Sequence, residues 1–206
     1  MAKSKSSHRW LDEHENDEYV QRARAEGWRG RAVYKLSELD QRYKLIRPGM
    51  SVVDLGAAPG SWSEYVARIL DGRGSVLATD ILPMDAIAGV TFIQGDFREQ
   101  AVLDALLEAL GQDRADLVIS DMAPNMSGMS SVDIPAAMYL AELAADMAAR
   151  TLKPGGGFLV KLFQGEGFDE LVGGLRRDYQ TVIVRKPKAS RPRSREVYAL
   201  ARGRKL

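Results

Sequence analysis

The chain has no cysteine, and that absence alone removes disulfides, thiolate metal sites and cysteine nucleophiles. Histidine is nearly missing as well. Its two copies, His8 and His14, lie in the polar N-terminal stretch, so neither a histidine triad nor a multi-histidine metal site is expected in the core. Catalysis falls to Lys, Asp, Glu or Tyr, and no metal is expected. Also lacking is an apolar run of the roughly 20 residues that a membrane-spanning helix needs. Residues 1–12 are polar and no apolar stretch follows their lysines, so no secretory leader is expected and the protein is placed in the cytoplasm, off the membrane. With 206 residues, 45% of them hydrophobic, the chain can bury one full core. The expected layout is a polar, flexible tail over 1–18 and a single domain over 19–206, with N-terminal helices at 19–48 and a core at 49–206. No heptads and no second domain are visible, so a monomer is expected.

Net charge is nearly absent too, at +1, but its distribution is uneven. Residues 185–206 hold nine Lys/Arg against the single acid Glu196, a local charge of +8, which leaves −7 for the rest of the chain. Such a split points to a polyanionic partner, nucleic acid foremost. The same segment carries the strand-like run Val197-Tyr198-Ala199-Leu200, so it is expected to fold instead of trailing as a solubilising terminus.

From Tyr19 onward, helical and strand-like segments alternate, and the strand candidates are short apolar runs bounded by Gly, Pro or Asp. This is a βαβ pattern, and it predicts an α/β, Rossmann-like fold: a buried, mostly parallel sheet with helices on both faces. Strands are expected at 51–55, 75–79, 90–94, 116–120 and 157–162, with 181–185 and 196–201 as a closing antiparallel pair, seven in all. Helices are expected at 19–26 and 32–44 ahead of the sheet, then at 60–70, 100–110 and 134–152, the last stopped by Lys153-Pro154-Gly155-Gly156. Loops 122–133 and 187–194, rich in Pro and Ser with Gly and Met or with Arg, are expected to be the mobile parts.

The run from Val52 to Trp62, VVDLGAAPGSW, is a strand, a glycine turn and a helix start, placed where open α/β sheets bind ligands. Its small residues, Gly56 and Gly60 among them, let backbone approach a ligand. It is neither the dinucleotide fingerprint nor a P-loop, because Pro59 precedes Gly60 and no Gly-Lys-Ser/Thr follows. Asp80 ends the second strand about 20 residues after Gly60, where an acid can bind both hydroxyls of an adenosine ribose. Asp96, within Gly95-Asp96-Phe97, ends the third strand and sets a carboxylate beside the expected adenine pocket. Sites at the ends of three consecutive strands favour a nucleoside cofactor.

The fourth strand ends in Ser120-Asp121-Met122-Ala123-Pro124-Asn125, and Lys161 interrupts the apolar run Phe158-Leu159-Val160-Lys161-Leu162-Phe163. A charged lysine there costs free energy unless it has partners. It is either half of a structural ion pair or a group that works on a substrate hydroxyl, and the pocket beside it favours the second. Arg31-Ala32-Val33-Tyr34-Lys35-Leu36, Gln164-Gly165-Glu166-Gly167, Arg185-Lys186-Pro187 and Ser194-Arg195-Glu196-Val197-Tyr198 complete a pattern. Over nearly its whole length the chain closely resembles the FtsJ/RrmJ family of ribose 2′-O-methyltransferases. The resemblance implies S-adenosyl-L-methionine as cofactor, held by Gly60, Trp62, Asp80, Asp96 and Asp121, with Gly56 in the same loop. It implies a catalytic tetrad of Lys35, Asp121, Lys161 and Glu196. One departure is Ser61, where relatives often carry a second glycine. The implied substrate is a uridine ribose in the A loop of 23S rRNA, within the large (50S) ribosomal subunit during its maturation. Transfer RNA and messenger RNA caps are the alternatives inside the family.

Methyl transfer to a 2′-oxygen is an in-line displacement, so the enzyme must align sulfur, methyl carbon and oxygen and then manage one proton. Lys161 is the candidate for that proton, either as a general base or as a cation that orients an oxygen lone pair. RNA phosphates would be met by Arg29, Arg31, Arg185, Lys186, Lys188, Arg191, Arg193 and Arg195. Trp28 and Tyr34 either stack on an unpaired base or pack in the core, and the Met-rich run 122–129 either shapes the substrate cleft or is a plain loop. Three rivals remain. A nicotinamide-dependent oxidoreductase is opposed by the missing fingerprint and by Lys161 with Asp121. A non-catalytic RNA-binding assembly protein is opposed by the intact tetrad. An amine methyltransferase would show Asn/Asp-Pro-Pro-aromatic where this chain has Asp121-Met122-Ala123-Pro124.

Overall fold

In the computed structural model, which describes residues 17–111 and 114–205, the apolar runs pair into one seven-stranded sheet. The strands are β1 (Ser51–Leu55), β2 (Ser75–Asp80), β3 (Val90–Gln94), β4 (Ala115–Ser120), β5 (Leu152–Phe163), β6 (Tyr179–Arg185) and β7 (Glu196–Arg204). Their order across the sheet is β3-β2-β1-β4-β5-β7-β6. The first five run parallel, and β7 enters antiparallel between β5 and β6, so the fold is the expected Rossmann-like α/β sheet. Chain direction across the sheet reverses between β1 and β4, which leaves a crevice outside the carboxyl ends of those strands.

Successive side chains point to opposite faces. Val53, Leu55, Val118, Val160 and Leu162 pack on one side with α4 (Gln100–Leu110), α5 (Ser130–Thr151) and α6 (Phe168–Asp178). Val52, Leu117, Ile119, Leu159, Tyr198 and Leu200 pack on the other with α1 (Glu18–Glu26), α2 (Val33–Tyr43) and α3 (Ser61–Leu70). Each fully buried side chain of this kind contributes about 1.5–3 kcal/mol. The same alternation sends Lys161, two residues past Leu159, and Glu196, two before Tyr198, to the face covered by α2.

Several boundaries differ from expectation. Asp17 caps α1, its carboxylate accepting from the Tyr19 N–H at 3.0 Å, so residues 17 and 18 belong to the folded domain. The remainder of the expected tail, with His8 and His14, lies outside the described residues. Helix α5 starts at Ser130, not at 134, because Asp133 in its first turn accepts hydrogen bonds from Ser127 N–H, Ser127 O–H and Gly128 N–H at 2.8, 2.7 and 2.9 Å. Helix α6 was not expected at all. Gly173-Gly174 hides it, each glycine costing about 1 kcal/mol against alanine in a helix. Tertiary packing overrides that cost: β5 and β6 both run antiparallel to β7, so the chain must cross over between them, and α6 seats Val172 and Leu175 on the sheet as it does so. The Lys153–Gly156 stretch does stop α5, but it joins β5 as extended strand.

Candidate active site

After β1 the chain turns through Gly56-Ala57-Ala58-Pro59-Gly60 into α3. Gly56 lacks a side chain for two reasons: its φ is 74°, and a Cβ would stand 2.2 Å from Met122 Cγ. At the ends of β1, β2, β3 and β4 lies a cleft of about 550 Å³ whose walls include Gly56, Asp80, Asp96, Asp121 and Met122. Four of the six expected cofactor residues are therefore together. Asp80 ties the β1 turn to the end of β2, accepting from Ala58 N–H at 2.9 Å and Leu82 N–H at 2.8 Å. Asp96 is paired with the Arg98 guanidinium, which holds its carboxyl below the usual range. On the same wall, the buried Thr79 Oγ1 has no partner, as befits a place for a polar ligand atom. Gly60 and the Trp62 side chain are elsewhere. Gly60 precedes α3 with φ 104° and packs under Met84 and Ile87. The Trp62 indole is buried, donating to the Ala32 carbonyl at 2.8 Å with its ring 5.8 Å from that of Tyr198. Beneath the turn, Asp54 is buried and accepts from Ser63 Oγ at 2.6 Å. Burial pushes its carboxyl up to about 7, against the Ser63 hydrogen bond and with help from the charges of Asp121 and Asp80.

The four tetrad residues form two pairs. Lys161 Nζ donates to the Asp121 carbonyl at 2.6 Å and to Asp121 Oδ1 at 2.8 Å. Lys35 Nζ, from α2, meets Glu196 Oε1 at 2.8 Å. Tyr198 joins them: its hydroxyl donates to Asp121 Oδ1 at 2.5 Å, and Lys35 Nζ stands 5.7 Å from its ring centre. The β5–β7 register makes this possible by setting Lys161 opposite Tyr198 and Phe163 opposite Glu196. Burial pushes the Asp121 carboxyl up, but the charges of Lys161 and Lys35 and the bonds from Lys161 and Tyr198 outweigh it and hold it below the usual range. Glu196 is held low in the same way, burial being outweighed chiefly by Lys35. The Tyr198 phenol is driven well above its ordinary value by burial and then by Asp121 and Glu196. At neutral pH the centre therefore holds two carboxylates and an un-ionised phenol that donates. Sequence reasoning missed Tyr198. Alternation from Glu196 puts it on the right face, but its partner across the strands depends on register, which no local pattern gives.

Lys35, Lys161 and Glu196 line a second cleft of about 860 Å³, together with Arg31, Arg191, Arg193 and Arg195. The other expected phosphate contacts lie outside it. Arg29 braces the cofactor-side loops, donating to the carbonyls of Pro59, Asp85 and Ala86 at 3.2, 3.1 and 2.9 Å. Arg185 bonds the Tyr43 hydroxyl at 2.7 Å, and Lys186 closes the 187–194 loop on the carbonyls of Pro192 and Ser194. Lys188 is exposed, and its backbone N–H is bound to Glu38 at 2.8 Å. That loop is tethered: Arg31 donates to the Ala189 carbonyl, and Asp17 pairs with Arg31 at 2.8 Å and with Arg191 at 3.6 Å. Trp28 and Tyr34 are packing residues, Trp28 lying against the Arg68 guanidinium and tilted 47° to the Tyr65 ring, Tyr34 buried with its hydroxyl on Glu26 at 2.9 Å. Among the described residues, no group of three or more His, Cys, Asp or Glu is placed to hold a metal, and no helix is long and apolar enough to cross a membrane.

A parallel sheet with an antiparallel C-terminal strand, and carboxylates at three successive strand ends around one cleft, defines the Rossmann-like methyltransferase fold class. Residues 28–204 match the FtsJ-like methyltransferase family, and the chain belongs to it. It is 59% identical over 203 residues to the ribosomal RNA large subunit methyltransferase E of Pseudomonas fluorescens, covering 98% of this chain and 97% of that one. The protein of the same name from Legionella pneumophila is 58% identical over 206 residues, with both chains covered in full (100%). A solved structure from Plasmodium falciparum, assigned as a ribosomal RNA methyltransferase, superposes with a TM-score of 0.77 at 28% identity over 86% of this chain and 98% of its own. A fibrillarin/Nop5p complex matches at TM-score 0.58 and 16% identity over 85% of this chain and 84% of that one, a likeness of fold alone.

Proposed function

We propose that this protein transfers a methyl group from S-adenosylmethionine to a ribose 2′-hydroxyl of RNA, the substrate being a uridine in the A loop of 23S rRNA in the large ribosomal subunit. One observation carries the reaction. Asp121 belongs to the cofactor-side cleft and Lys161 to the basic cleft, and the two are bonded at 2.8 Å. A donor in the first cleft and a hydroxyl in the second meet at that contact. The partnerless Thr79 hydroxyl and the Asp80 and Asp96 carboxylates give the first cleft the polar groups that an adenosine needs. S-adenosylmethionine supplies, when bound, an electrophilic methyl carbon set for in-line displacement.

The chain's own residues do the rest. Two of the three bonding positions on Lys161 Nζ are taken by Asp121, leaving one for the acceptor oxygen. With a carboxylate and a carbonyl as its acceptors, Lys161 serves as a donor that fixes the oxygen's lone pair toward the methyl carbon. A hydroxyl that has gained a carbon becomes strongly acidic, so its proton passes to water once the carbon–oxygen bond has formed. Tyr198 locks Asp121, and Lys35 with Glu196 forms the floor on which the ribose rests. The arginines of the second cleft hold phosphates. Ribosomal RNA is supported by the names of the relatives, which are aligned with this chain from end to end.

The test uses methyl-tritiated S-adenosylmethionine and large subunits from cells lacking the corresponding enzyme, with Lys161→Ala in parallel and mapping of the labelled nucleotide. Label on one uridine 2′-oxygen, absent with the variant, is the expected result. Label on transfer RNA alone would move the substrate. No label on any RNA, despite cofactor binding, would sink the enzymatic reading in favour of a non-catalytic RNA-binding protein.

A further inference from the structure

The basic cleft has two unlike walls. One carries Arg31, Arg191, Arg193 and Arg195. The other is made by the turn after β4 and the start of α5, and there Met126 lines the cleft while 56% exposed. Met129 and Val132, close to it in the chain and also exposed, do not line the cleft. Ile134 continues the apolar wall inward toward Lys161. Water-facing methionines on a loose loop would need no explanation, but this loop is fastened. Asp133, 5% exposed, accepts three hydrogen bonds from Ser127 and Gly128, and those two residues lie between Met126 and Met129. The acids of the cleft are already spent: Glu196 on Lys35, Asp133 on this loop. The cleft thus sets a wall of arginines, two of them shared with Asp17, against an apolar wall of Met126 and Ile134.

We propose that the cleft takes a single-stranded segment of RNA, its phosphates on the arginine wall and its unpaired bases against Met126 and Ile134. The proposal rests on the RNA reading above and adds which form of RNA fits and which residues distinguish it. Flat, weakly solvated base faces suit polarizable sulfur and methyl groups, whereas the bases of a duplex are stacked on one another and present only sugar and phosphate. The two walls contribute in different ways. Phosphate contacts release counterions and set the salt dependence, with a slope near −0.7 per contact for single strands. Contacts to base faces add affinity that salt does not touch.

The test compares wild type, Met126→Ala and Arg191→Ala/Arg193→Ala for binding to a fluorescent unstructured oligoribonucleotide and to a blunt duplex of the same sequence, across a range of salt. The methionine variant is expected to bind the single strand about threefold to tenfold more weakly, with an unchanged salt slope and an unchanged affinity for the duplex. The arginine variant is expected to have a salt slope shallower by about 1.4, from two lost phosphate contacts. Met126 and Arg193 are exposed and Arg191 is half-buried, and thermal unfolding of each variant verifies that it folds. Single-strand binding by the methionine variant equal to wild type, or an equal loss on strand and duplex, overturns the proposal while leaving the methylation reading intact. Failure of wild type to bind or methylate any RNA overturns that reading instead.

Discussion

Replacing Asp54 by Asn should cost a little stability in acid and add stability in base. The carboxyl is 1% exposed, and burial together with the charges of Asp121 and Asp80 raises it from 3.8 to about 7. Between those values the folded protein keeps a proton that the unfolded chain has lost. The stability owed to that proton is complete below about pH 4 and disappears as pH rises through 7. At about 1.36 kcal/mol per pH unit, the wild type above neutrality carries a burial penalty of about 4 kcal/mol. Asparagine has the same shape, still accepts from Ser63 and cannot ionise, but its amide N–H groups lack a sure partner, a pH-independent cost of about 1–2 kcal/mol. The expected balance is a loss of about 1 kcal/mol near pH 4, almost none near pH 5 and a gain of about 2–3 kcal/mol near pH 8.5. For a domain of this size each kcal/mol moves Tm by about 2–4 °C, so the difference in Tm between variant and wild type should swing by about 10 °C over that range. Calorimetry of both proteins without cofactor at a series of pH values measures it. Groups that do not feel Asp54 titrate alike in the two proteins, so a difference that does not change with pH would refute the assignment of a buried, reluctantly ionised Asp54.

Tyr198→Phe deletes the hydroxyl that holds Asp121 and should lower kcat by about tenfold, at a stability cost of about 1–3 kcal/mol, measurable by single-turnover methylation and chemical unfolding. Because Asp121 and Glu196 are held below the ordinary carboxylate range, their ion pairs add stability that is complete above that range and lost as pH falls through the lowered values; Lys35→Met should flatten this acid-side slope. Asp17→Asn keeps the helix cap but frees Arg31 and Arg191, so RNA binding should tighten about twofold to fivefold at low salt with a steeper salt slope, and the advantage should vanish at high salt. Gly56→Ala drives a Cβ to 2.2 Å from Met122 Cγ at a φ of 74°, and cofactor affinity measured by calorimetry should fall at least about tenfold.

The sheet was legible because its strands are short apolar runs with hard punctuation, and the cleft at the strand ends because Asp80, Asp96 and Asp121 each close such a run. What escaped were features decided between elements. Helix α6 is written in residues that prefer other conformations, and only the crossover from β5 to β6 makes it a helix. Tyr198 became visible only once β5 and β7 were in register. Arg29 and Lys186 were indistinguishable from phosphate contacts as charges, since nothing local shows that carbonyl oxygens already occupy them. Trp62 carries the same lesson: its place beside the ligand loop is set by the motif, but its indole turns inward because α2 offers a carbonyl and β7 a ring.

The last strand of the sheet to leave the ribosome is also an inner one. Until β7 emerges, β5 and β6 cannot join, Lys35 has no carboxylate, and Asp121 lacks the phenol that locks it. A nascent chain of this protein can shape the cleft at the ends of β1 to β4 well before the second cleft, which needs Glu196, is complete. Partly made or C-terminally clipped copies are thereby left with open strand edges, and their fate is aggregation or proteolysis.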